Sequence, residues 1–142
     1  MVRLPDWQSR LSDYLTASAN QPFRYGSLDC GLFVADAIRA MTGADVAELL
    51  RGRYRNRPEA FRAIKELCGK PSMEAVGVFL ADRYGLPDVP ILRAQRGDAV
   101  CMGSGRDSKL GSIAMHGTEI LTPYRGGILR IPLTSAQRTW RV

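Results

Sequence analysis

The chain has 142 residues, 45% of them apolar and 24% charged, with a formal net charge of +6 and three cysteines. These figures describe one soluble globular domain over residues 1–142, long enough to bury a core without a covalent or metal staple. The cysteines at 30, 68 and 101 show no CxxC or Cys/His spacing, which excludes a disulfide framework and a structural zinc site, and no apolar run reaches the roughly 18 residues that span a bilayer.

A first amphipathic helix is expected from residue 5 or 6 to about 17, where Trp7, Leu11, Tyr14 and Leu15 recur at helical spacing. The first ten residues lack the apolar segment of a signal peptide. Residues 20–29 carry Pro and Gly and read as a loop. Residues 30–41 then form a helix apolar on nearly every side, capped by Asp29 and closed by Thr42 and Gly43, which makes it the central helix.

Two further helices are expected at 58–68 and 72–84, each ended by a glycine, at 69 and 85. An extended, Pro-containing linker follows at 86–92. Short alternating runs at 98–102, 111–115, 119–121, 128–131 and 140–142, separated by turn residues, read as an antiparallel meander. Helices first and strands after make an α+β domain, with N-terminal helices packed on a small C-terminal antiparallel sheet.

Chemistry concentrates at the loop-to-helix junction, Phe23-Arg-Tyr-Gly-Ser-Leu-Asp-Cys-Gly-Leu-Phe. A cysteine in the first turn of a helix meets unpaired N–H groups and the positive end of the helix dipole, which favour the thiolate and a developing oxyanion. Gly31 leaves room beside the sulfur for a substrate carbonyl. The alternative is structural, since Cys30, Val34, Ile38 and Met41 lie on one helical stripe and Cys30 can be the first residue of a core face. Cys68 and Cys101 read as core thiols, Trp7 and Trp140 as packing anchors, and Asp98 as a turn acceptor.

The segment Arg24-Tyr-Gly-Ser-Leu-Asp-Cys-Gly-Leu-Phe-Val resembles the nucleophile motif of the NlpC/P60 superfamily of papain-like cysteine peptidases, and Arg96-Gly-Asp-Ala-Val100 resembles its Gly-Asp turn into the first strand. With Arg51-Gly-Arg-Tyr and the closing Trp140-Arg-Val, the chain is similar over nearly its whole length to small NlpC/P60-like proteins of tailed-phage and prophage tail gene clusters. The resemblance implies a papain-like fold, with Cys30 as nucleophile, Tyr25 as the active-site tyrosine and Asp29 as the acidic residue that helps hold the substrate's amino group. Active relatives cleave peptidoglycan stem peptides after a γ-linked D-glutamate.

The general base departs from this pattern. Aligned by its glycines, Lys109-Leu-Gly-Ser-Ile-Ala-Met-His-Gly117 puts Lys109 or Leu110 at the family's histidine position, while the chain's one histidine, His116, follows seven residues later, about 20 Å along an extended strand. A displaced strand would restore a Cys30/His116 dyad. Lys109, read as a loop lysine, serves as a base only if desolvation lowers its pKa. The third, orienting residue is expected near Leu121 or Thr122, although a threonine before Pro123 also reads as a turn residue.

Seventeen of the twenty basic residues are arginine, densest in Arg51-Gly-Arg-Tyr-Arg-Asn-Arg57, which reads as a solvated loop. Such charge suits acidic protein partners, the anionic cell wall or nucleic acid. The expected function is a phage tail-tip, baseplate or tail-assembly component with a degenerate active site, made in the host cytoplasm and carried in the virion. The alternatives are an active peptidoglycan endopeptidase that opens the cell wall, and a basic nucleic-acid-binding protein. Nothing in the sequence calls for a metal or cofactor.

Overall fold

The computed structural model describes residues 1–113 and 118–142. Four helices come first: α1 (Trp7–Ser18), α2 (Cys30–Thr42), α3 (Arg57–Cys68) and α4 (Met73–Tyr84). Side-chain caps fix three of the starts, because Asp29, Asn56 and Ser72 accept from the N–H groups of Leu32, Glu59 and Ala75. The left-handed glycines 43, 69 and 85 end the same three helices. At α1 the side chain of Asp6 makes no cap bond and instead pairs with Arg10 at 2.8 Å.

The five strands are β1 (Ala99–Met102), β2 (Lys109–Ile113), β3 (Glu119–Tyr124), β4 (Gly127–Pro132) and β5 (Ala136–Trp140). They form one antiparallel sheet in the order β4-β3-β2-β1-β5. The first four strands make the expected meander, and the fifth returns to pair with β1, setting Ala99 opposite Trp140. Three boundaries differ from the sequence reading. β2 begins at Lys109, so this lysine is a strand residue and not a loop residue. β3 runs through Thr122 and Pro123, which pair with Leu129 and Ile128, so Thr122 is not in a turn. The last strand is 136–140 instead of 140–142, because its polar residues pair with β1 and only Ala136, Thr139 and Trp140 are buried.

The α+β architecture is therefore as expected, with α2 at its centre. Leu32, Phe33, Val34, Ala35, Ala37, Ile38 and Met41 of α2 are buried, and the helix packs against α1, β2 and β3. Trp140, 2% exposed, belongs to this core and lies across α4, where a Cβ on Gly77 would sit 2.6 Å from the indole ring. A helix-interior glycine is needed at that crossing. The opposite face of the sheet has its own small core of Val100, Met102, Ile120 and Ala136, covered by Ile91, Ala94, Ile131 and Leu133. All four residues of β1 are buried as a result. No helix among the described residues is long and apolar enough to cross a membrane.

Asp98 ties the chain's two ends to the start of the sheet. It accepts from the Gln95 N–H at 2.8 Å, as a turn residue does, and its fully buried carboxylate also takes the Arg3 and Arg141 guanidiniums at 3.0 and 2.9 Å. Trp7 is half-buried with the Arg3 guanidinium 4.2 Å over its ring.

Candidate functional site

Residues 23–30 form a tight loop that delivers Cys30 to the start of α2. Arg24 and Leu28 exchange backbone hydrogen bonds of 3.0 and 2.9 Å across the turn. Gly26, at φ 85°, occupies the apex, and a Cβ there would lie 2.4 Å from the carbonyl oxygen of Tyr54. Only glycine has both the conformation and the clearance. The glycine of the aromatic-Gly pair ahead of Asp29-Cys30 therefore has a geometric cause within this chain.

Asp29 is buried and fully engaged. One carboxylate oxygen accepts the Leu32 N–H at 2.9 Å; the other accepts the Gly26 N–H at 3.0 Å and the Tyr54 hydroxyl at 2.7 Å. Burial and the charge of Asp29 raise the pKa of Tyr54, which keeps that hydroxyl a donor. Asp29 thus holds the loop, the helix start and the 51–57 segment together.

Cys30 keeps partial access, but its thiol is desolvated, and burial pushes its pKa up to about 11. The negative charge of Asp29 works in the same direction, while the Leu110 backbone N–H and the Lys109 ammonium oppose it. Among the described residues, burial outweighs what the helix start does to favour a thiolate. The space beside Gly31 is taken by the Met73 methyl, 2.8 Å from where a Cβ would stand.

Cys30 opens onto a cleft of about 600 Å³, a size that admits a small ligand or a short peptide segment. Its aromatic walls are Phe23, Tyr25, Tyr54, Phe61 and Tyr124, with Phe23 and Tyr25 packed edge-to-face at 4.9 Å. Burial also raises the pKa of Tyr25, opposed by Arg57. Lys109 lines the same cleft, exposed, with its ammonium 5.4 Å over the Tyr124 ring. Thr122 is buried away from solvent and donates to the Leu110 carbonyl at 2.9 Å, bracing the residue whose N–H acts on the sulfur. Tyr25, Asp29, Cys30 and Lys109 are thus brought to one place. His116 lies outside the described residues.

The sequence reading missed the cationic rim. Arg57, Arg106, Lys109 and Arg125 border the cleft, against Asp29 and Asp107, and among the described residues none of the four pairs with a carboxylate. The 51–57 run carried a partial signal. Arg53, Arg55 and Arg57 are exposed as a solvated loop requires, but Arg51 is held by Asp36 and by Asp45 at 2.6 Å, the buried Tyr54 reaches Asp29, and Arg57 stands 5.2 Å over Phe61 at the cleft. Asp36 and Asp45 thus share one guanidinium.

The other two thiols take no part. Cys101 is buried in β1, and Cys68 is half-buried beside a larger, more open groove of about 950 Å³. Two of the charges in that groove pair with each other, since Arg138 grips both oxygens of Asp88 at 2.7 and 2.8 Å. Among the described residues no cluster of three or more His, Cys, Asp or Glu side chains could hold a metal ion.

A family model described as a domain of unknown function, DUF6950, matches residues 2–142. The chain belongs to that family. No curated protein matches the sequence. The match spans both the helices and the sheet, so the DUF6950 domain contains the whole cleft.

Proposed function

We propose that this DUF6950 protein is an NlpC/P60-like, papain-like domain used in tailed-phage particles as a tail-tip, baseplate or tail-assembly component, with its ancestral hydrolytic site turned to binding. The resemblance of the 24–34 segment to the NlpC/P60 nucleophile motif supports the lineage. The observation that carries the loss of hydrolysis is the state of the Asp29-Cys30 pair. Its carboxylate is taken up by three protein donors, and its thiol is desolvated by burial, which raises its pKa. A peptidase of this type needs the reverse, a free carboxylate for the substrate's amino group and an activated sulfur. On this reading the protein is made in the host cytoplasm and leaves it within the virion.

One observation favours active peptidoglycan cleavage instead. Cys30 and Lys109 line the same cleft, and the lysine's charge favours the thiolate. Muramyl tripeptides and tetrapeptides incubated with wild type and with Cys30→Ala separate the two readings. The binding reading predicts identical, uncleaved substrate in both, together with crosslinks from the protein to tail components in phage lysates. Cleavage by wild type that Cys30→Ala abolishes would establish the peptidase.

A further inference from the structure

We propose that the Cys30 cleft is a docking groove for an extended acidic segment of a partner protein, whose carboxylates meet the cationic rim while a large apolar side chain beds on the aromatic walls. This rests on the reading of the cleft as a binding site, and it does not require the partner to be a tail protein.

The rim of the cleft is complementary in charge to such a segment. Arg57 comes from the start of α3, Arg106 from the turn before β2, Lys109 from β2 and Arg125 from the β3–β4 turn, so four separate segments aim cations at one opening. Eight other arginines, among them Arg3, Arg51 and Arg138, are spent on carboxylates of this chain. The rim cations have no such partner among the described residues. Ion pairs across a partly desolvated groove steer association and set its specificity.

The oxygens of Asp29 are occupied by Gly26, Leu32 and Tyr54, so of the two carboxylates that line the cleft only the exposed Asp107 is open to an incoming ammonium, against four cations. The balance of charge favours anions. Phe61, Ile64 and Met73 join the tyrosines in lining the walls. A cell-wall stem peptide brings carboxylates but no large apolar side chain, whereas a protein segment brings both. Aromatic and arginine-rich pockets of this kind are where interface energy concentrates.

Fluorescence anisotropy with the full chain tests this, using a labelled peptide of alternating Glu with Phe and Leu, a matched peptide with Lys for every Glu, and unlabelled muramyl tetrapeptide as competitor. The acidic peptide should bind, weakening several-fold from about 50 to about 300 mM salt, and the lysine peptide should bind at least about tenfold more weakly. Arg57→Glu with Lys109→Glu should cost about tenfold or more, while Arg62→Glu, exposed on α3 outside the cleft, should leave affinity unchanged. These rim side chains are exposed, and a melting curve for the double variant confirms that it folds. Equal binding of both peptides, no binding, or an unaffected double variant would overturn the proposal. Muramyl tetrapeptide displacing the acidic peptide at lower concentration than the unlabelled acidic peptide itself would reassign the groove to the cell wall. Peptide binding without crosslinks to tail components would keep the groove and remove the tail, and the converse would remove the groove alone.

Discussion

Asp29 is the residue on which the site turns. Its side chain is at once a helix cap, the acceptor for the Gly26 N–H and the acceptor for a buried tyrosine, so Asp29→Ala removes all three together. The lost cap costs about 1 kcal/mol and the orphaned Tyr54 hydroxyl about 1 to 3 kcal/mol, which predicts a loss of roughly 2 to 4 kcal/mol in urea unfolding. Tyr54→Phe should cost only about 1 kcal/mol in the same assay, because it removes one hydrogen bond and leaves the cap. Equal costs for the two variants would mean that the cap and the Gly26 bond contribute nothing. The cap was legible in the sequence, since an aspartate before an apolar helical run has one obvious use. The tyrosine was not, because residue 54 meets residue 29 only through tertiary packing.

The same residue scale carries a pH dependence. The Cys30 thiol has an ordinary value of 9.0 when unfolded and about 11 when folded. The folded state therefore prefers the proton, and this contribution is fully present below pH 9 and is lost as pH rises toward 11. Cys101 is raised to about 11 by burial and shares the window. Unfolding of Cys30→Ser should accordingly fall less steeply between pH 9 and 11 than unfolding of wild type. Parallel curves would contradict a protonated Cys30.

Among the elements, the 24–28 turn is the most exacting. Gly26→Ala places a methyl group in left-handed backbone against a carbonyl oxygen 2.4 Å away, and a backbone contact cannot swing aside. The expected loss is at least about 2 to 3 kcal/mol by thermal melting, with the cleft disrupted because Tyr25 precedes the turn. A wild-type melting temperature would show that the loop does not approach residue 54. Periodicity located all four helices, because their apolar stripes, and in three of them a terminal glycine, are local signals. It misplaced the last strand, since Gln137, Arg138 and Thr139 carry no alternation and owe their strand to pairing with β1. It also placed Lys109 in a loop, because that position's partner, Met102, lies seven residues upstream and is not implied by the local pattern.

At the scale of the whole molecule, Asp98 joins the N-terminal segment to the C-terminal one. Asp98→Ala would leave Arg3 and Arg141 without their shared carboxylate, and breaking a buried ion pair of this kind costs about 3 kcal/mol or more. Hydrogen exchange should show the loss spreading to residues near 3 and 141 together; protection lost at one end alone would contradict a shared tie. The sequence announced Asp98 as a turn acceptor but not as this junction, which depends on contacts over more than 90 positions. The cleft was equally non-local. Its cysteine, aspartate and tyrosine were visible in one motif, but its rim is assembled from four segments that sequence order keeps apart.

The central claim is that Cys30 is a desolvated thiol in a binding groove and not an activated nucleophile. Its most direct test is the rate of Cys30 alkylation by iodoacetamide from pH 6 to 11.5, followed by peptide mass spectrometry on the intact folded chain. Modification should be slow at neutral pH, with a rate still rising at pH 10 and a midpoint near 11. A rate that has already reached its plateau below about pH 8 would mean a stabilised thiolate, and would contradict the claim.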